Sequence, residues 1–190
     1  MIVVNEQGNV ASVLHTINGL RWGSTGLFVD GVSIPDSASQ QQQLVRNAGP
    51  GKRLPDTTNP LIVLKGGKPV LASGVVGSGL HQVKLQNVIN VLDFGMDVKT
   101  AVASPNTQGP YLGTSVTGPG QPQYQMETVS EGAFSAAILD GVRARGQAIK
   151  IIPPSDRSQL GYWAGIQIVR ETHKMNGAVT SLLPGMVQGY

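Results

Sequence analysis

Gly8 to Ser24 reads GNVASVLHTINGLRWGS, and the rest of the chain is organised around it. An apolar strand, Val10 to Leu14, runs straight into the polar cluster Thr16-Ile17-Asn18, and a tight Trp22-Gly23-Ser24 element follows. Ahead of it, Ile2-Val3-Val4 forms a second strand. Asn5-Glu6-Gln7-Gly8 has the turn residues to join the two as a hairpin. A hydroxyl and an amide therefore emerge together at the end of a hairpin expected to be buried. The plainer alternative is a strand end whose polar residues only close a turn.

Downstream, Gly26 to Asp30 is a short apolar run ended by Asp30-Gly31, a strand by pattern. Val32 to Asn59 is rich in Ser, Gln, Pro and Asn, with Gln40 to Gln43 in a row, and reads as a long irregular loop. Loops of that length inside a domain are usually functional or disordered. Pro60 to Leu64 and Pro69 to Ala72 flank Lys65-Gly66-Gly67-Lys68, a second hairpin whose continuous apolar runs suggest burial on both faces. The glycine-rich stretch Gly74 to Gly79 leads into a helix carrying Leu80, Val83, Leu85, Val88, Ile89 and Leu92, with Gly95 as its stop. Asp97 can cap a second helix through Val102, ended before Pro105.

Residues 106 to 123 read as loop, and 125 to 129 as a strand. A third helix follows, with Phe134, Ile138 and Val142 on one face. Glu131 near its start and Arg143 and Arg145 near its end suit the helix dipole, and Gly146 stops it. Ala148 to Ile152, Gly165 to Val169 and Ala178 to Leu183 complete the strands. The pattern is layered sheet and helix, α+β, with too many hairpins for a doubly wound parallel fold.

The totals set bounds. One domain spanning residues 1–190 is the natural reading of 190 residues of which 40% are hydrophobic. Only 13% are charged, and Gly and Pro number 25 and 12, so turns are many. The net charge of +3 comes from scattered basic residues, without the clustered stripe and aromatics of a nucleic-acid footprint. With no cysteine, disulfides, thiolate nucleophiles and thiolate-bound metals are excluded. His15, His81 and His173 stand far apart, in no ligand spacing, so neither metal nor cofactor is expected. No apolar run reaches the ~18 residues of a membrane helix, and no signal-peptide pattern opens the sequence.

Strand, glycines, helix is a layout that leaves backbone N–H groups free for an anion or a developing oxyanion. Gly74-Val75-Val76-Gly77-Ser78-Gly79 fits neither GxxxxGK[ST] nor GxGxxG. The alternative is that its glycines only let a strand turn closely into a helix. Asp56-Thr57-Thr58-Asn59, just before the central hairpin, is a candidate pocket lining or an ordinary surface turn. His15 is readable as a general base, though a lone His at a strand end is more often packed or solvated.

Taken in order, these pieces resemble the small, C-terminal subunit of the γ-glutamyltranspeptidases, which are N-terminal nucleophile hydrolases. Val3-Val4-Asn5-Glu6-Gln7-Gly8-Asn9 resembles VVD-x-x-GN, and Thr16-Ile17-Asn18 with Trp22-Gly23-Ser24 is similar to TIN-x-x-FGS. Pro50-Gly51-Lys52-Arg53 resembles PGKRP, Pro60-Leu61-Ile62-Val63 resembles PTIV, and Asp93-Phe94-Gly95-Met96 resembles D-Y/F-G-M. The chain closes on Gly189-Tyr190, a common ending in the family.

The resemblance implies part of a four-layer αββα sandwich, made from a precursor that cuts itself. The cut exposes a threonine whose hydroxyl attacks a γ-glutamyl amide while its own α-amine handles the proton. The partners implied are the large, N-terminal subunit of the same precursor and a small-molecule γ-glutamyl or acyl amide. The location implied is the periplasm or outside the cell. By position, Thr16 matches the threonine that supports the nucleophile and Asn18 one that holds the donor. Gly77 and Ser78 fall at the Gly-Gly pair of the oxyanion hole.

Departures accompany the matches. The nucleophile is expected just before Met1, outside this sequence, so residues 1–190 alone are expected to be inactive and to fold poorly. Val32 and Pro35 stand where the family binds the glutamyl α-amine, with Asp36 or Ser37 as replacements. Asp56 and Thr57 stand at the Ser-Ser pair for the α-carboxylate. A carboxylate facing a carboxylate is unfavourable, which implies a different donor. The alternative is a non-catalytic relative that keeps the scaffold as a binding or assembly module.

Overall fold

In the computed structural model the described residues are 1–16, 26–33, 47–53, 58–77, 80–110, 127–155, 161–180 and 185–189. They form two compact units, Met1–Val13 with Asn59–Tyr190, and Leu14–Thr58.

The first unit begins with the expected hairpin, β1 (Ile2–Val4) against β2 (Val10–Ser12). Asn5 Oδ1 accepts the Asn9 amide at 2.8 Å, and Gly8 turns the chain at φ 80°. Met1 and Val13 extend the ladder by exchanging backbone bonds of 2.7 and 2.8 Å. The hairpin is less buried than its sequence suggests, because alternate residues such as Val3 face outward.

Its central sheet has the order β11-β10-β6-β5, antiparallel throughout. β5 (Leu61–Lys65) and β6 (Lys68–Gly77) meet at Gly66-Gly67, with φ 58° and 75°. Two successive positive φ values make the hairpin turn whose twist suits the strands. A register shift after Val63 leaves Val70 bulged beside Pro69, which has no N–H to give. β5 is an edge strand with Ile62 and Leu64 exposed, so its apolar run is not buried on both faces. β10 (Gly161–Val169) and β11 (Lys174–Val179) complete the sheet.

Directly paired residues share a face, so Val63, Leu71, Val75, Trp163 and Ala178 lie on one side. That side carries α1 (Leu80–Leu92) and α2 (Val98–Ala103), whose Val83, Val91, Val98 and Ala101 close the core. The buried stripe of α1 is Val83, Asn87, Asn90 and Val91, at helical spacing, while Leu85 points outward. Asn87 is tolerated inside because its Nδ2 bonds the Val83 carbonyl at 2.9 Å. The opposite side of the sheet receives the β1–β2 hairpin, where Ser12 Oγ donates to the Ser73 carbonyl at 3.0 Å. Residues 185–189 lie there too, with Val187 over Gly177.

Asp97 caps α2 as its sequence suggests, accepting from the Lys99 and Thr100 amides at 2.9 and 3.0 Å and from the Thr100 hydroxyl. These bonds, the Thr100 hydroxyl foremost, hold its carboxyl below the usual range. A carboxyl depressed in the folded state stabilises above its unfolded value, and that contribution is lost as pH falls through the folded value. Asp97→Ala should therefore lower the melting temperature at neutral pH more than Asp97→Asn. As pH falls through the depressed folded value the parent should approach Asp97→Asn, which keeps a capping oxygen, while Asp97→Ala stays below both, as thermal melts across pH would reveal.

A smaller sheet joins β7 (Thr107–Pro110) antiparallel and β9 (Ile149–Ile152) parallel to β8 (Glu127–Ser130). β7 falls where the sequence suggests only loop, because its short polar strand is defined by its partner. α3 (Ala136–Ala144) begins later than Glu131, at an N-cap Ser135 whose Oγ accepts the Ile138 amide, and Gly146, at φ 89°, follows its C-cap Arg145. No residue of α3 is buried, and Ile138 is 53% exposed.

In the second unit, β3 (Phe28–Val29) and β4 (Val32–Ser33) form a short hairpin about Asp30-Gly31. The strand Val32–Ser33 lies within the stretch expected to be loop. Asn47 and Ala48 are helical.

Candidate functional site

Gly74 to Gly77 is strand rather than turn. It is the end of β6, paired with Gly161 to Ala164 of β10. The ladder finishes with Gly77 opposite Gly161, and Gly77 has φ 103°, a left-handed value that only glycine takes without strain. The strand part of the glycine-rich stretch therefore ends at Gly77, and α1 begins at Leu80. The first N–H groups of a helix such as the thirteen-residue α1 have no partner within the helix itself. Backbone donors there suit an anion or an oxyanion.

Two residues brace this end of β6. Asn59, only 6% exposed, accepts the Val75 amide through Oδ1 at 3.1 Å, and its carbonyl accepts from Lys84 Nζ at 3.0 Å. Partial burial lowers the Lys84 ammonium's pKa. Sequence reading grouped Asn59 with a candidate pocket segment and did not single out Lys84. The bonds span 16 and 25 positions, a separation that leaves no local pattern to read.

Of the residues singled out from sequence, Gly77 lies in the first unit, and Thr16, with exposed His15, in the second. Val32 lies on β4 and is exposed. Asn18, Pro35, Asp36, Ser37, Asp56, Thr57 and Ser78 lie outside the described residues. A groove of about 490 Å³ lined by Glu6, Lys68, Arg170 and His173 sits by the other end of β6 and contains none of these candidates. Glu127, on β8, has its carboxyl pushed up by burial, with Oε2 lacking a hydrogen-bond partner. Among the described residues no group of three or more acidic or histidine side chains could hold a metal, and no helix is long and apolar enough to cross a membrane.

The class defined by this architecture is a mixed α/β chain with helices on one face of an antiparallel sheet and a glycine-ended central strand. It matches a solved chain of a Helicobacter pylori gamma-glutamyltranspeptidase mutant at TM-score 0.68 and 21% identity, over 95% of this chain and 97% of that one. The chain belongs to the gamma-glutamyltranspeptidase family, whose profile matches residues 1–185. It is 29% identical over 163 residues to the glutathione hydrolase proenzyme of Escherichia coli, 78% of this chain and 26% of that protein. It is also 30% identical over 123 residues to the acylase ACY 1 proenzyme of a Pseudomonas strain, 58% of this chain and 21% of that protein. The chain thus spans about a fifth to a third of the length of the curated relatives it matches.

Proposed function

We propose that residues 1–190 are the small-subunit part of a γ-glutamyltranspeptidase-like amidohydrolase or transferase. The observation that carries this is one of extent. The chain covers 97% of a solved gamma-glutamyltranspeptidase chain but only 26% of a relative named a proenzyme, as expected of a separately cut subunit. The nucleophile in this reading is a threonine outside residues 1–190, and the rest of the precursor is the partner. Without them, residues 1–190 have no activity.

The threonine hydroxyl attacks the carbonyl carbon of a γ-glutamyl or related acyl amide, passing its proton to the threonine α-amine. Negative charge moves to the carbonyl oxygen, where the N–H groups at Gly77 and Ser78 receive it. Collapse expels the amine, which takes the proton, and leaves an ester. Water or an acceptor amine then releases the acyl group. Thr16 supports the nucleophile, Asn18 holds the donor, and Asp56 with Thr57 faces the donor's far end. Asp56 disfavours a free carboxylate there, so the preferred donor is another γ-linked acid or an acyl amide. The similarity to both a glutathione hydrolase and an acylase is compatible with either. By the same resemblance the enzyme acts in the periplasm or outside the cell.

The test is to express the full coding sequence and resolve the product on a denaturing gel. Two bands, the smaller beginning on threonine, are expected, with release of amine from a γ-glutamyl or acyl anilide. One uncut band, or no threonine ahead of Met1, overturns the reading and leaves the scaffold as a binding or assembly module.

A further inference from the structure

Three turns of the first unit meet at the end of the central sheet opposite Gly77. Lys68 opens β6 and Gly77 closes it, about 30 Å away along ten strand residues. Lys68, Arg170 and His173 of the β10–β11 turn, and Glu6 of the β1–β2 turn line one groove of about 490 Å³, a size suited to a small ligand. The rest of its lining is largely apolar. Ile168 and Met175 pair in register and so share one face of the sheet, and Pro69 lines the groove with them.

The charges around it do not balance. Two permanent cations and an imidazole face one carboxylate, and among the described residues none of these four side chains makes an ion pair or a hydrogen bond. Lys65, paired directly with Lys68, and Lys174, next to His173, add to the positive field. Glu171 shares the β10–β11 turn but lines a neighbouring cavity beside α1. The turn itself is tied down, since Thr172 donates its amide and hydroxyl to the Val169 carbonyl and the His173 amide donates to that of Arg170. His173 holds φ 53°, a left-handed value at which glycine would sit with less strain, so the turn keeps an imidazole there at a cost.

We propose that this groove binds a small organic anion, its carboxylate or phosphate group among Lys68, Arg170 and His173 and its apolar body on Ile168, Met175 and Pro69. A bare inorganic ion would use the charges alone, whereas an apolar body also removes the Ile168–Met175 surface from water. Glu6 opposes the anion from the far wall, which limits how much negative charge the groove accepts. A ligand here lies too far from Gly77 to meet an acyl group under attack at that turn, so the site is a second, non-catalytic one.

Binding is measured by isothermal titration on the protein expressed from its full coding sequence, with phenyl phosphate, benzoate and inorganic phosphate as probes. Phenyl phosphate or benzoate should bind at least about tenfold more tightly than inorganic phosphate, and the tighter of the two tells a phosphate site from a carboxylate site. Lys68→Gln/Arg170→Gln should weaken that probe about tenfold or more. Met175→Gln should weaken it about threefold while leaving inorganic phosphate unchanged, and Glu6→Gln should tighten it about threefold. All four positions are exposed, so these variants should melt with the parent. Gly77→Ala should leave binding unchanged. Organic anions bound no better than inorganic phosphate, or bound equally by the Lys68→Gln/Arg170→Gln variant, overturn the proposal. So does binding lost in Gly77→Ala, which would place the probe at the other end of the strand. So does the absence of saturable binding, the result expected if the rest of the protein covers the groove.

Discussion

Trp163→Ala should cost about 3–5 kcal/mol of folding free energy, and Gly165→Ala about 3 kcal/mol or somewhat more. Among the described residues Trp163 is the largest fully buried side chain, and its backbone is pinned on the β11 side by the Thr180 amide and hydroxyl. Its indole lies over Gly165, where a Cβ would fall 1.9 Å from Cη2. The ring cannot yield, because helices α1 and α2 close over the same face. The two losses should not add. In Trp163→Ala/Gly165→Ala the new methyl enters space the indole has left, and the double variant should be more stable than the sum predicts by about 1–3 kcal/mol. Urea midpoints followed by circular dichroism on the protein from its full coding sequence decide this, and strict additivity would mean the two residues do not share that space. Trp163→Phe should be milder, since it also removes an Nε1–H that is buried without a partner.

The largest effect on turnover is expected at Gly77. Gly77→Ala should lower kcat about a hundredfold while KM stays within about threefold. At φ 103° an added Cβ is strained, so the chain should relax toward negative φ and disturb the backbone donors that the proposed mechanism assigns to the oxyanion. Steady-state kinetics with a chromogenic γ-glutamyl or acyl anilide measures both constants. A kcat within twofold of the parent, in a variant that still melts normally, would remove this turn from the chemistry.

Features with local causes were legible in the sequence. Gly66-Gly67 and Asn5 to Gly8 are turns because their backbone angles restrict which residues can stand there, and Asp97 caps because its carboxylate reaches amides two and three residues on. What depended on distant partners was not legible. Gly74 to Gly77 looks like a turn by composition, yet it is strand because β10, more than eighty residues later, pairs with it. β4 and β7 are short, and only their neighbours make them strands. The apolar run of β5 gave no sign that it would be an edge. For the candidate site, patterning drew attention to the stretches holding Thr16, Asn18, Asp56, Thr57, Gly77 and Ser78, but their individual roles came from resemblance to a family. The brace at Asn59 and Lys84 became visible only with coordinates.

The meeting of Gly77 and Gly161 at the end of the sheet has a consequence for divergence. Two facing residues without side chains make that rim pure backbone, and backbone has nothing to exchange by point mutation short of breaking it. Change at such a rim must then be written in neighbouring segments that carry side chains, and randomising the glycine pair itself is a poor route to a new function.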